Sequence, residues 1–472
     1  MKVILIDLPF LSVSFNRYCP FCVKWLGKTS LKEIEMPPPL ALGYLASAIK
    51  HDPVIGKDVD VYIWGSETTS LLTNSSLIRK LMSEEPDVIG FATYLWNVHE
   101  VMGLIRHLKK MGVRSKLILG GPEVFGNVNM LLDRSQGADI IVKGEGEITF
   151  RELIRYLRVN KNNLNGLKKI HGLVYRDSNG RIVETKNREL MRNLSIIPSP
   201  YLTGIIDISN YSSLYLETYR GCNLRCNFCF YHKNYPFIRE HSLTRIKNEV
   251  QMAIDNGISN IYIIDATFNE QRRIMNVLKI FRDKNKNKEL NFFAEIRADL
   301  VTNTIAKLFS EANFPFLEIG LQTINKKALR AMNRPFNKIL FEKGIRNLKK
   351  NGIRVGVDLI IGLPEDDFNS IKETLNYLVK LSVDYVFPYI LSVLPGTDFY
   401  NNAKKYGLKF MRKPPYFIIE NKSLSQDEIK KTFKYVQKFI SEHGKCIQPM
   451  SYHFNSEKKF INYFQDRMGL GI

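Results

Sequence analysis

The stretch Glu217-Thr-Tyr-Arg-Gly-Cys222-Asn-Leu-Arg-Cys226-Asn-Phe-Cys229-Phe-Tyr231 holds three of the six cysteines of the chain. It overlaps the end of an apolar run, 214–219, which predicts a β-strand, so the cysteines are expected on a loop at the carboxyl end of that strand. Three thiolates in C-x3-C-x2-C spacing can bind three irons of a [4Fe–4S] cluster and leave the fourth iron open to a small ligand. Zinc with His232 as a fourth ligand is the alternative, although this spacing is not a usual zinc pattern.

Downstream of the cysteines, strand-like and helix-like runs alternate. Strands are expected at 214–219, 260–265, 292–296, 316–321, 355–361 and 385–391, and amphipathic helices at 243–256, 270–284, 302–312, 338–350 and 367–381. Six such units predict an open, partial (βα)6 barrel of the TIM type, because a full eight-fold barrel usually needs about 250 residues. Beyond residue 400 the chain is rich in lysine and is expected to be helical, with no strand series of its own.

Residues 1–160 show a similar alternation and predict an α/β, Rossmann-like, doubly wound domain with a parallel sheet. The expected strands are 3–8, 59–64, 88–93, 116–119 and 139–142, and the expected helices include 40–50, 98–111 and 147–159. Ligands of such sheets bind beyond the carboxyl ends of the strands. Those ends carry the segments 91–96, 120–123 and 143–147, and glycines in the last two allow a bulky ligand to approach the backbone.

These patterns predict four regions: a Rossmann-like domain (1–160), a hairpin and linker (161–205), a partial barrel (206–400) and a helical, substrate-side region (401–472). The turn Asp177-Ser-Asn-Gly180 between two short strands indicates the hairpin. The prolines of Ile197-Pro-Ser-Pro200 indicate the extended linker.

The composition of the 472 residues, 44% hydrophobic and 24% charged, is that of a soluble globular protein. It excludes a disordered tail protein, a collagen-like fibre and a small disulfide scaffold. No apolar run approaches about 18 residues, so no membrane span is expected. The start MKVILIDLPF lacks the features of a signal peptide, which favours a cytoplasmic location. The net charge of +21 is spread over many helices, so a nucleic-acid partner is not expected.

The cysteine stretch resembles the signature of the radical SAM superfamily, C-x3-C-x-aromatic-C, with Phe228 at the aromatic position. Asp358-Leu-Ile-Ile-Gly-Leu-Pro364, Glu318-Ile-Gly-Leu-Gln322 and Leu394-Pro-Gly-Thr397 are similar to strand-end motifs of the subgroup that includes the oxygen-independent coproporphyrinogen oxidases. The resemblance implies that Cys222, Cys226 and Cys229 bind a [4Fe–4S] cluster. In that family the open iron chelates S-adenosylmethionine (SAM), and one-electron reduction from a donor such as flavodoxin or ferredoxin cleaves SAM to a 5′-deoxyadenosyl radical.

The resemblance also carries SAM contacts to this chain: Thr267, Glu295, Gln322, Arg334 and Asp358. Carboxylates and an amide suit ribose hydroxyls and an amino group, and an arginine suits the methionine carboxylate. Arg297, two residues after Glu295 on the same strand face, is a second candidate. Phe228 and Tyr231 are further expected contacts, with Tyr231 near the adenine.

The first domain resembles the cobalamin-binding domain that is often fused to radical SAM barrels. The similar segments are Leu40-Ala-Leu-Gly-Tyr-Leu45, Gly120-Gly-Pro122, Gly144-Glu-Gly-Glu147 and Ser199-Pro-Tyr-Leu202. The implied cobalamin contacts are Thr93, Tyr94, Leu95, Gly120, Gly121, Pro122, Gly144, Glu145 and Gly146. The D-x-H-x-x-G motif of other cobalamin proteins is absent, since no histidine precedes His51. The domain is therefore expected to bind cobalt without that ligand, and the alternative is a cobalamin-free relative. His99 is expected to be a polar residue at the start of a helix.

The resemblance implies an enzyme that transfers a methyl group through methylcobalamin to an unactivated carbon, most simply a C-methyltransferase. A radical cyclisation, ring contraction or rearrangement with the same cofactors is the first alternative. A non-catalytic, cluster-bearing binding protein is the second, and the complete set of SAM contacts disfavours it. The substrate is a small molecule or a peptide, and no catalytic residue beyond the cofactor contacts is assigned.

Several other residues are interpreted without a cofactor. Cys19 and Cys22 have the spacing of a redox pair, but no second pair completes a zinc site, so a solvent-facing or substrate-side loop is expected. Gly27-Lys-Thr29 is not interpreted as an ATP site, because the first glycine of a phosphate loop is replaced by Cys22. The segment Lys413-Pro-Pro-Tyr416, Glu420 and Cys446 are expected near the barrel mouth.

Overall fold

The structure is a computed structural model that describes residues 1–8, 37–69, 74–125, 128–133, 137–160 and 163–443. The expectations for Cys19, Cys22, Gly27–Thr29 and Cys446 lie outside these residues. The described part of the chain divides into two compact units, the first ending at Tyr211 and the second beginning at Ser212. No helix of the described ranges is long and apolar enough to cross a membrane.

The first unit is built on a seven-stranded sheet with the order β2-β1-β3-β4-β5-β6-β7. Its strands are β1 (Lys2–Ile6), β2 (Asp60–Trp64), β3 (Val88–Ala92), β4 (Lys116–Gly120), β5 (Ile140–Val142), β6 (Leu173–Arg176) and β7 (Ile182–Glu184). The first five strands are parallel, and β6 and β7 are antiparallel. Its helices are Leu40–Lys50, Ser66–Thr69, Asn74–Glu84, Val98–Lys110, Val128–Leu131 and Gly146–Asn160.

The sheet of the first unit is buried on both faces. Along β1, Ile4 and Ile6 join the apolar cluster beneath the helices 74–84 and 98–110, whereas Val3 and Leu5 join the cluster beneath the helices 40–50 and 146–160. Two buried faces explain why β1 is a continuous apolar run, as is typical of parallel sheets. Each such side chain stabilises the fold by about 1.5–3 kcal/mol relative to an exposed one. The prediction of a doubly wound α/β domain is confirmed.

The predicted hairpin is present, but it extends the first sheet instead of serving only as a connection. Strand β6 pairs antiparallel with β5, and β7 pairs with β6. The apolar side chains of β6 explain this placement, because Val174 and Tyr175 are buried in the two core clusters that flank the sheet.

The second unit contains six parallel strands in the order β15-β14-β13-β12-β11-β8. Their ranges are β8 (Ser213–Leu216), β11 (Asn260–Ile263), β12 (Asn291–Ile296), β13 (Phe316–Gln322), β14 (Arg354–Ile361) and β15 (Tyr385–Ile390). Within the described residues the two outer strands, β8 and β15, do not pair with each other, so the barrel is open. The prediction of a partial (βα)6 barrel is confirmed.

Helices of the second unit begin where the sequence supplies a capping side chain. Ser242, Thr302 and Asn337 each accept a hydrogen bond from a backbone N–H of the first turn, and Asp367 forms a capping box with Ser370. The helices are Tyr231–Asn234, Leu243–Asp255, Ile274–Lys284, Asn303–Glu311, Lys326–Ala331, Lys338–Lys350, Phe368–Lys380, Asp398–Asn401, Ala403–Tyr406 and Gln426–Glu442.

The region after residue 400 corrects one expectation, because it contains two short antiparallel strands, β16 (Lys409–Phe410) and β17 (Ile418–Glu420). Strands of two and three residues are too short to produce a readable alternation of apolar and polar residues. The remaining short strands, β9 (Tyr219–Arg220) and β10 (Arg239–Glu240), also form an antiparallel pair.

The interior of the barrel has an apolar base. Phe293, Phe316 and Phe387, on β12, β13 and β15, form a buried cluster. Because side chains of a strand alternate between its two faces, the residues two positions further along these strands also face inward. They include Glu295, Glu318 and Tyr389, and Tyr389 is 37% exposed. The aromatic base therefore supports an open space above it, toward the carboxyl ends of the strands.

Candidate active site

The cysteine loop leaves the barrel after the short strand β9. Gly221 has φ +120°, and a Cβ atom there would lie 2.0 Å from the carbonyl oxygen of Phe237, so only glycine fits. The backbone N–H of Cys222 donates to the oxygen of Tyr235 at 3.1 Å, and the N–H of Cys229 donates to the oxygen of Cys226 at 3.0 Å. These bonds fold the loop back on itself and keep the three cysteines together.

Two of the three thiols, those of Cys222 and Cys229, lie in surroundings that disfavour the thiolate unless a cation compensates its charge. Cys222 and Cys226 are buried. Burial raises the pKa of Cys222 to about 11, and it also raises the pKa of Cys229. In the described residues no three His, Cys, Asp or Glu side chains are arranged around a single metal ion. A [4Fe–4S] cluster does not require that convergence, since each thiolate binds a different iron. The chemistry of the three thiols fits such a cluster.

Asn227, between the second and third cysteines, fixes the loop to the rest of the barrel. Its N–H donates to Met332 at 2.8 Å, its side-chain amide donates to Ala331 at 2.7 Å, and its oxygen accepts from Phe399 at 3.0 Å. The Asn333 side chain adds a bond to the oxygen of Arg225 at 3.0 Å. The loop is therefore held by the helix 326–331 on one side and by the segment after Thr397 on the other.

A buried network beneath the loop connects it to Thr267, one of the predicted SAM contacts. The Tyr219 hydroxyl accepts from the N–H of Thr267 at 3.0 Å and donates to the Thr267 oxygen. Asp265 accepts from the N–H of Thr218 at 2.8 Å and from the Thr218 hydroxyl. Burial raises the pKa of Asp265 to about 8 in spite of these bonds. Sequence reasoning missed Tyr219 and Asp265, and their only signal was a polar residue at the end of each strand-like run.

A second buried group sits at the base of the same loop. Glu217 contacts Arg220 at 2.8 Å and His241 at 3.1 Å. Burial alone would raise the pKa of the Glu217 carboxyl, but Arg220 and His241 outweigh it and hold this pKa at about 2. Glu217 is therefore a permanent anion that keeps Arg220 in place directly before the loop.

Three carboxyl groups form a layer inside the barrel. Glu295 lies opposite Glu318 in the register of β12 and β13, and Gly320 lies opposite Asp358 in that of β13 and β14. Asp358 shares a hydrogen bond with Glu318. Desolvation by the surrounding barrel wall, with a contribution from Glu318, raises the pKa of Glu295 above its ordinary value, and the side chain stays accessible from the open interior, which limits this rise. Burial likewise raises the pKa of Asp358 to about 8. Sequence reasoning identified Glu295 and Asp358 but not Glu318.

Gln322 and Arg334 complete this edge. Gln322 follows an irregularity in the pairing of β13 with β14, and its φ of +73° is unusual for a residue other than glycine. Arg334 donates to the Gly320 oxygen and approaches the Cys226 sulfur at 3.3 Å.

Two buried oxygens at this edge, Gln322 Oε1 and Asp358 Oδ1, accept no hydrogen bond from the described residues. Unsatisfied buried acceptors are rare in proteins, and a bound ligand or water that donates to them would explain them. Together with the carboxylates and Arg334, they fit a ligand that has hydroxyl, amino and carboxylate groups, as SAM has.

The remaining predicted SAM contacts, Arg297, Tyr231 and Phe228, do not present polar atoms that lack a partner among the described residues, as Gln322 and Asp358 do. The Arg297 guanidinium is engaged by Asp299 at 2.6 Å and by Glu270 at 3.4 Å. The Tyr231 hydroxyl accepts from the N–H of Gly221 at 3.4 Å. Phe228 is half-buried on the cysteine loop. Arg297 and Tyr231 thus have partners within the protein, and their contact with SAM stays a prediction.

The predicted cobalamin contacts lie at the carboxyl edge of the first sheet. β2 and β3 flank β1 on opposite sides, so the direction of winding changes between β1 and β3, where ligands of such sheets bind. Thr93 follows β3 and bonds to the Gly120 oxygen through its N–H at 2.7 Å and its hydroxyl at 2.6 Å. Gly121 has φ +105°, and a Cβ atom there would lie 2.5 Å from the Thr93 oxygen.

The same edge combines open backbone with aromatic rings. At Gly144, with φ +74°, no atom lies within 4 Å of the place that a Cβ atom would take. Tyr94 stacks on Trp96 with 4.5 Å between ring centroids, and both are partly exposed beside Leu95. Glu145 is buried and accepts from the N–H of Met191 at 2.9 Å, so it shapes the loop from within.

Other predicted residues of this unit lie at the starts of helices or in packing contacts between segments. Pro122 begins a short 3-10 helix, and Gly146 begins the helix 146–160. His99 is exposed in the first turn of the helix 98–110. In the helix 40–50, a Cβ atom at Gly43 would lie 3.0 Å from Pro200, so the predicted motifs that contain these two residues pack together. The edge formed by Thr93, Gly121 and Gly144 fits a large flat ligand that is recognised through shape and backbone.

Comparison with known proteins identifies both domains. Residues 216–378 match the radical SAM superfamily, and residues 36–154 match the B12 binding domain. An uncharacterized methyltransferase of Pyrococcus horikoshii is 25% identical over 375 residues, which is 78% of each chain. The cobalamin-dependent radical SAM methyltransferase TokK of Streptomyces tokunonensis is 22% identical over 428 residues, 82% of this chain and 61% of TokK.

Among solved structures, the radical S-adenosylmethionine methyltransferase TsrM of Kitasatospora setae superimposes with a TM-score of 0.70. It is 15% identical, and the alignment covers 95% of this chain and 89% of TsrM, so the likeness is one of fold. The chain belongs to the radical SAM enzymes that carry a cobalamin-binding domain. Its cofactors are a [4Fe–4S] cluster, SAM and cobalamin.

Proposed function

We propose that this enzyme transfers a methyl group from SAM, by way of cobalamin, to an unactivated carbon of its substrate. The observation that carries the proposal is the edge of the barrel, where three thiols share one loop and the unpartnered oxygens of Gln322 and Asp358 lie near Arg334. When bound, the cluster supplies reductive cleavage of SAM and cobalamin supplies the methyl carrier. The methyltransferase names of the relatives support this reaction over a rearrangement.

The residues of the chain then have distinct roles. We assign Cys222, Cys226 and Cys229 to the cluster, and Arg334 to the SAM carboxylate. Asp358 and Gln322 accept from hydroxyl or amino groups of SAM, and Glu295 neutralises its positive charge. Tyr219 and Asp265 are positioning residues, since they join the cysteine loop to Thr267. Thr93, Gly121 and Gly144 shape the cobalamin site.

Each region receives one task in this proposal. Residues 1–160 bind cobalamin, and residues 161–205 add the hairpin to the first sheet and then link it to the barrel. Residues 206–400 bind the cluster and SAM, and residues 401–472 form the substrate side. The substrate is a small molecule or a peptide, and an external protein supplies electrons. We also propose a cytoplasmic location, because a reducing compartment keeps cluster thiols from forming disulfides.

The test is anaerobic purification with iron and cobalamin supplied, followed by metal and corrinoid quantification and by product analysis with methyl-labelled SAM. We expect about four irons and one cobalt per chain, and release of both S-adenosylhomocysteine and 5′-deoxyadenosine. Release of 5′-deoxyadenosine without S-adenosylhomocysteine would replace methyl transfer with a rearrangement. Zinc in place of iron would overturn the proposal.

A further inference from the structure

Two segments of the barrel carry basic side chains without any acidic one. Residues 218–239, which include the cysteine loop, contain four Lys or Arg residues and no Asp or Glu. Residues 319–341, which include Gln322 and Arg334, contain five and again no Asp or Glu. The absence of acidic residues from both segments is notable because the whole chain has 47 of them among 472 residues.

The two segments are in direct contact. Asn227 of the first donates to Met332 and Ala331 of the second, and Asn333 of the second donates to Arg225 of the first. Their basic residues therefore border the same loop that carries the cysteines. Four of the exposed ones, Arg225, Lys326, Lys327 and Arg330, form what we call the basic face. Lys233 and Lys338 are also exposed, but they pair with Asp398 and Glu342.

The basic face is free to meet a partner. On the helix 326–331, Ala328 and Leu329 are buried, whereas Lys326, Lys327 and Arg330 are exposed on one side, three and four residues apart. None of these three side chains forms an ion pair within the described ranges. Two acidic side chains near the edge of the face are occupied, since Asp398 pairs with Lys233 and the buried Asp366 accepts from Asn325.

We propose that the basic face is the docking site of an acidic one-electron donor protein of the ferredoxin type, which reduces the cluster. The inference rests on the proposed function in that it requires a cluster at Cys222, Cys226 and Cys229. The step moves one electron from the reduced donor to the oxidised cluster, and no bond or proton is exchanged. Opposite charges speed the encounter of two proteins, and placing the face beside the cysteine loop keeps the path of the electron short.

The test compares two variants with the same change in net charge. In the first, Lys326→Glu, Lys327→Glu and Arg330→Glu reverse the basic face. In the control, Lys247→Glu, Lys279→Glu and Lys286→Glu reverse three exposed lysines of the same unit. Lys247 lies on the helix 243–255, Lys279 lies on the helix 274–284, and Lys286 lies in the loop that follows the helix 274–284. Both variants keep every residue assigned to the cluster or to SAM.

The probe is an acidic [2Fe–2S] ferredoxin, and two quantities are measured with the full-length protein. The first is the dissociation constant of the complex at low and high salt, with and without the cluster. The second is the second-order rate of cluster reduction, followed by stopped-flow absorbance. At low salt, we expect the face variant to bind the ferredoxin at least about tenfold more weakly than wild type and to be reduced at least about tenfold more slowly. In the control variant, both quantities should change by less than about twofold. High salt should reduce the difference, because exposed charges are then screened.

Reduction by dithionite separates this inference from the proposed function. The face variant should produce 5′-deoxyadenosine at the wild-type rate with dithionite. The docking site would be overturned if ferredoxin binding and cluster reduction were weakened equally in both variants, or if neither were weakened in the face variant. If the face variant also produced 5′-deoxyadenosine more slowly with dithionite, the docking site would be overturned, and the basic face would instead be a surface that contacts the substrate. If wild type yields no 5′-deoxyadenosine with dithionite, the proposed function fails, while the binding measurement still tests the face.

Discussion

The carboxyl edges of the two parallel sheets follow one architectural rule but offer different chemistry. At the first, the strands end in Thr93, Gly121 and Gly144, where backbone groups and open space dominate. At the second, Asp358 and Arg334 lie near a loop of thiols. A large macrocycle is recognised through area and shape, whereas a small zwitterion and a metal cluster need charges and ligands. The fold thus provides the edge, and the residues after each strand decide what binds there.

The largest effect is expected from removal of a cluster ligand. With Cys226→Ala, the cluster loses one of three thiolates, so iron content should collapse and SAM cleavage should fall by at least about 1,000-fold. Cobalamin content should stay at the wild-type level, because Cys226 lies in the other unit. Iron and cobalt analysis checks both expectations. Parallel loss of cobalt would show that the two edges are not independent.

A smaller effect is expected from Asp358→Asn, which removes from the carboxylate layer an acid that ionises when SAM binds. SAM should bind about 10- to 100-fold more weakly, because charge-assisted hydrogen bonds are stronger than neutral ones. Equilibrium binding of SAM to the iron-loaded protein measures this. The matched control is Asp366→Asn, a buried carboxyl that bonds to Ser370 and Asn325 away from this layer. Equal weakening by both changes would argue against a direct role of Asp358.

The first edge is tested with two glycines. Gly121→Ala places a Cβ atom against the Thr93 oxygen at a strained φ, and it should lower the free energy of unfolding by about 2 kcal/mol and weaken cobalamin binding. Gly144→Ala meets no neighbouring atom and should cost about 1 kcal/mol through backbone strain alone. Denaturant unfolding and corrinoid titration measure the pair. The reverse order of effects would contradict the assigned geometry.

The smallest effect is a pH dependence that should appear at the second edge alone. Burial raises the pKa of Asp358 to about 8, so this carboxyl is largely protonated at neutral pH without a ligand, and the pKa of Glu295 beside Glu318 is shifted in the same direction. A cationic ligand favours their ionised forms and must displace protons below that pKa. SAM affinity should therefore rise from pH 6 to pH 8, by up to about tenfold per unit for each proton released, and then level off.

Titrations of SAM at several pH values measure this dependence, and Asp358→Asn should reduce its slope. Cobalamin binding should change little over the same range, because Thr93, Gly121 and Gly144, which shape the first edge, have no ionisable side chain. Affinity that is flat with pH would mean that these carboxyl groups ionise before SAM arrives.

Sequence reasoning was most successful where a pattern was local. The alternation of strand-like and helix-like runs and the spacing of the three cysteines predicted the barrel, the loop and the cluster. Reasoning from the sequence failed where the partners lie far apart along the chain. Tyr219 and Thr267 are separated by 48 residues, and the bond between them became visible only when β8 and β11 were adjacent.

The sequence by itself determined two α/β units and three clustered thiols, because periodicity and ligand spacing are properties of neighbouring residues. The resemblance of its motifs to known families implied the cofactor classes. Only the tertiary structure decided that Glu318 joins Glu295 and Asp358, that the hairpin extends the first sheet, and that two acid-free segments form one basic face. Such groupings depend on strand register and on loop packing. They bring together side chains whose separation along the chain carries no signal, so no reading of one segment could reveal them.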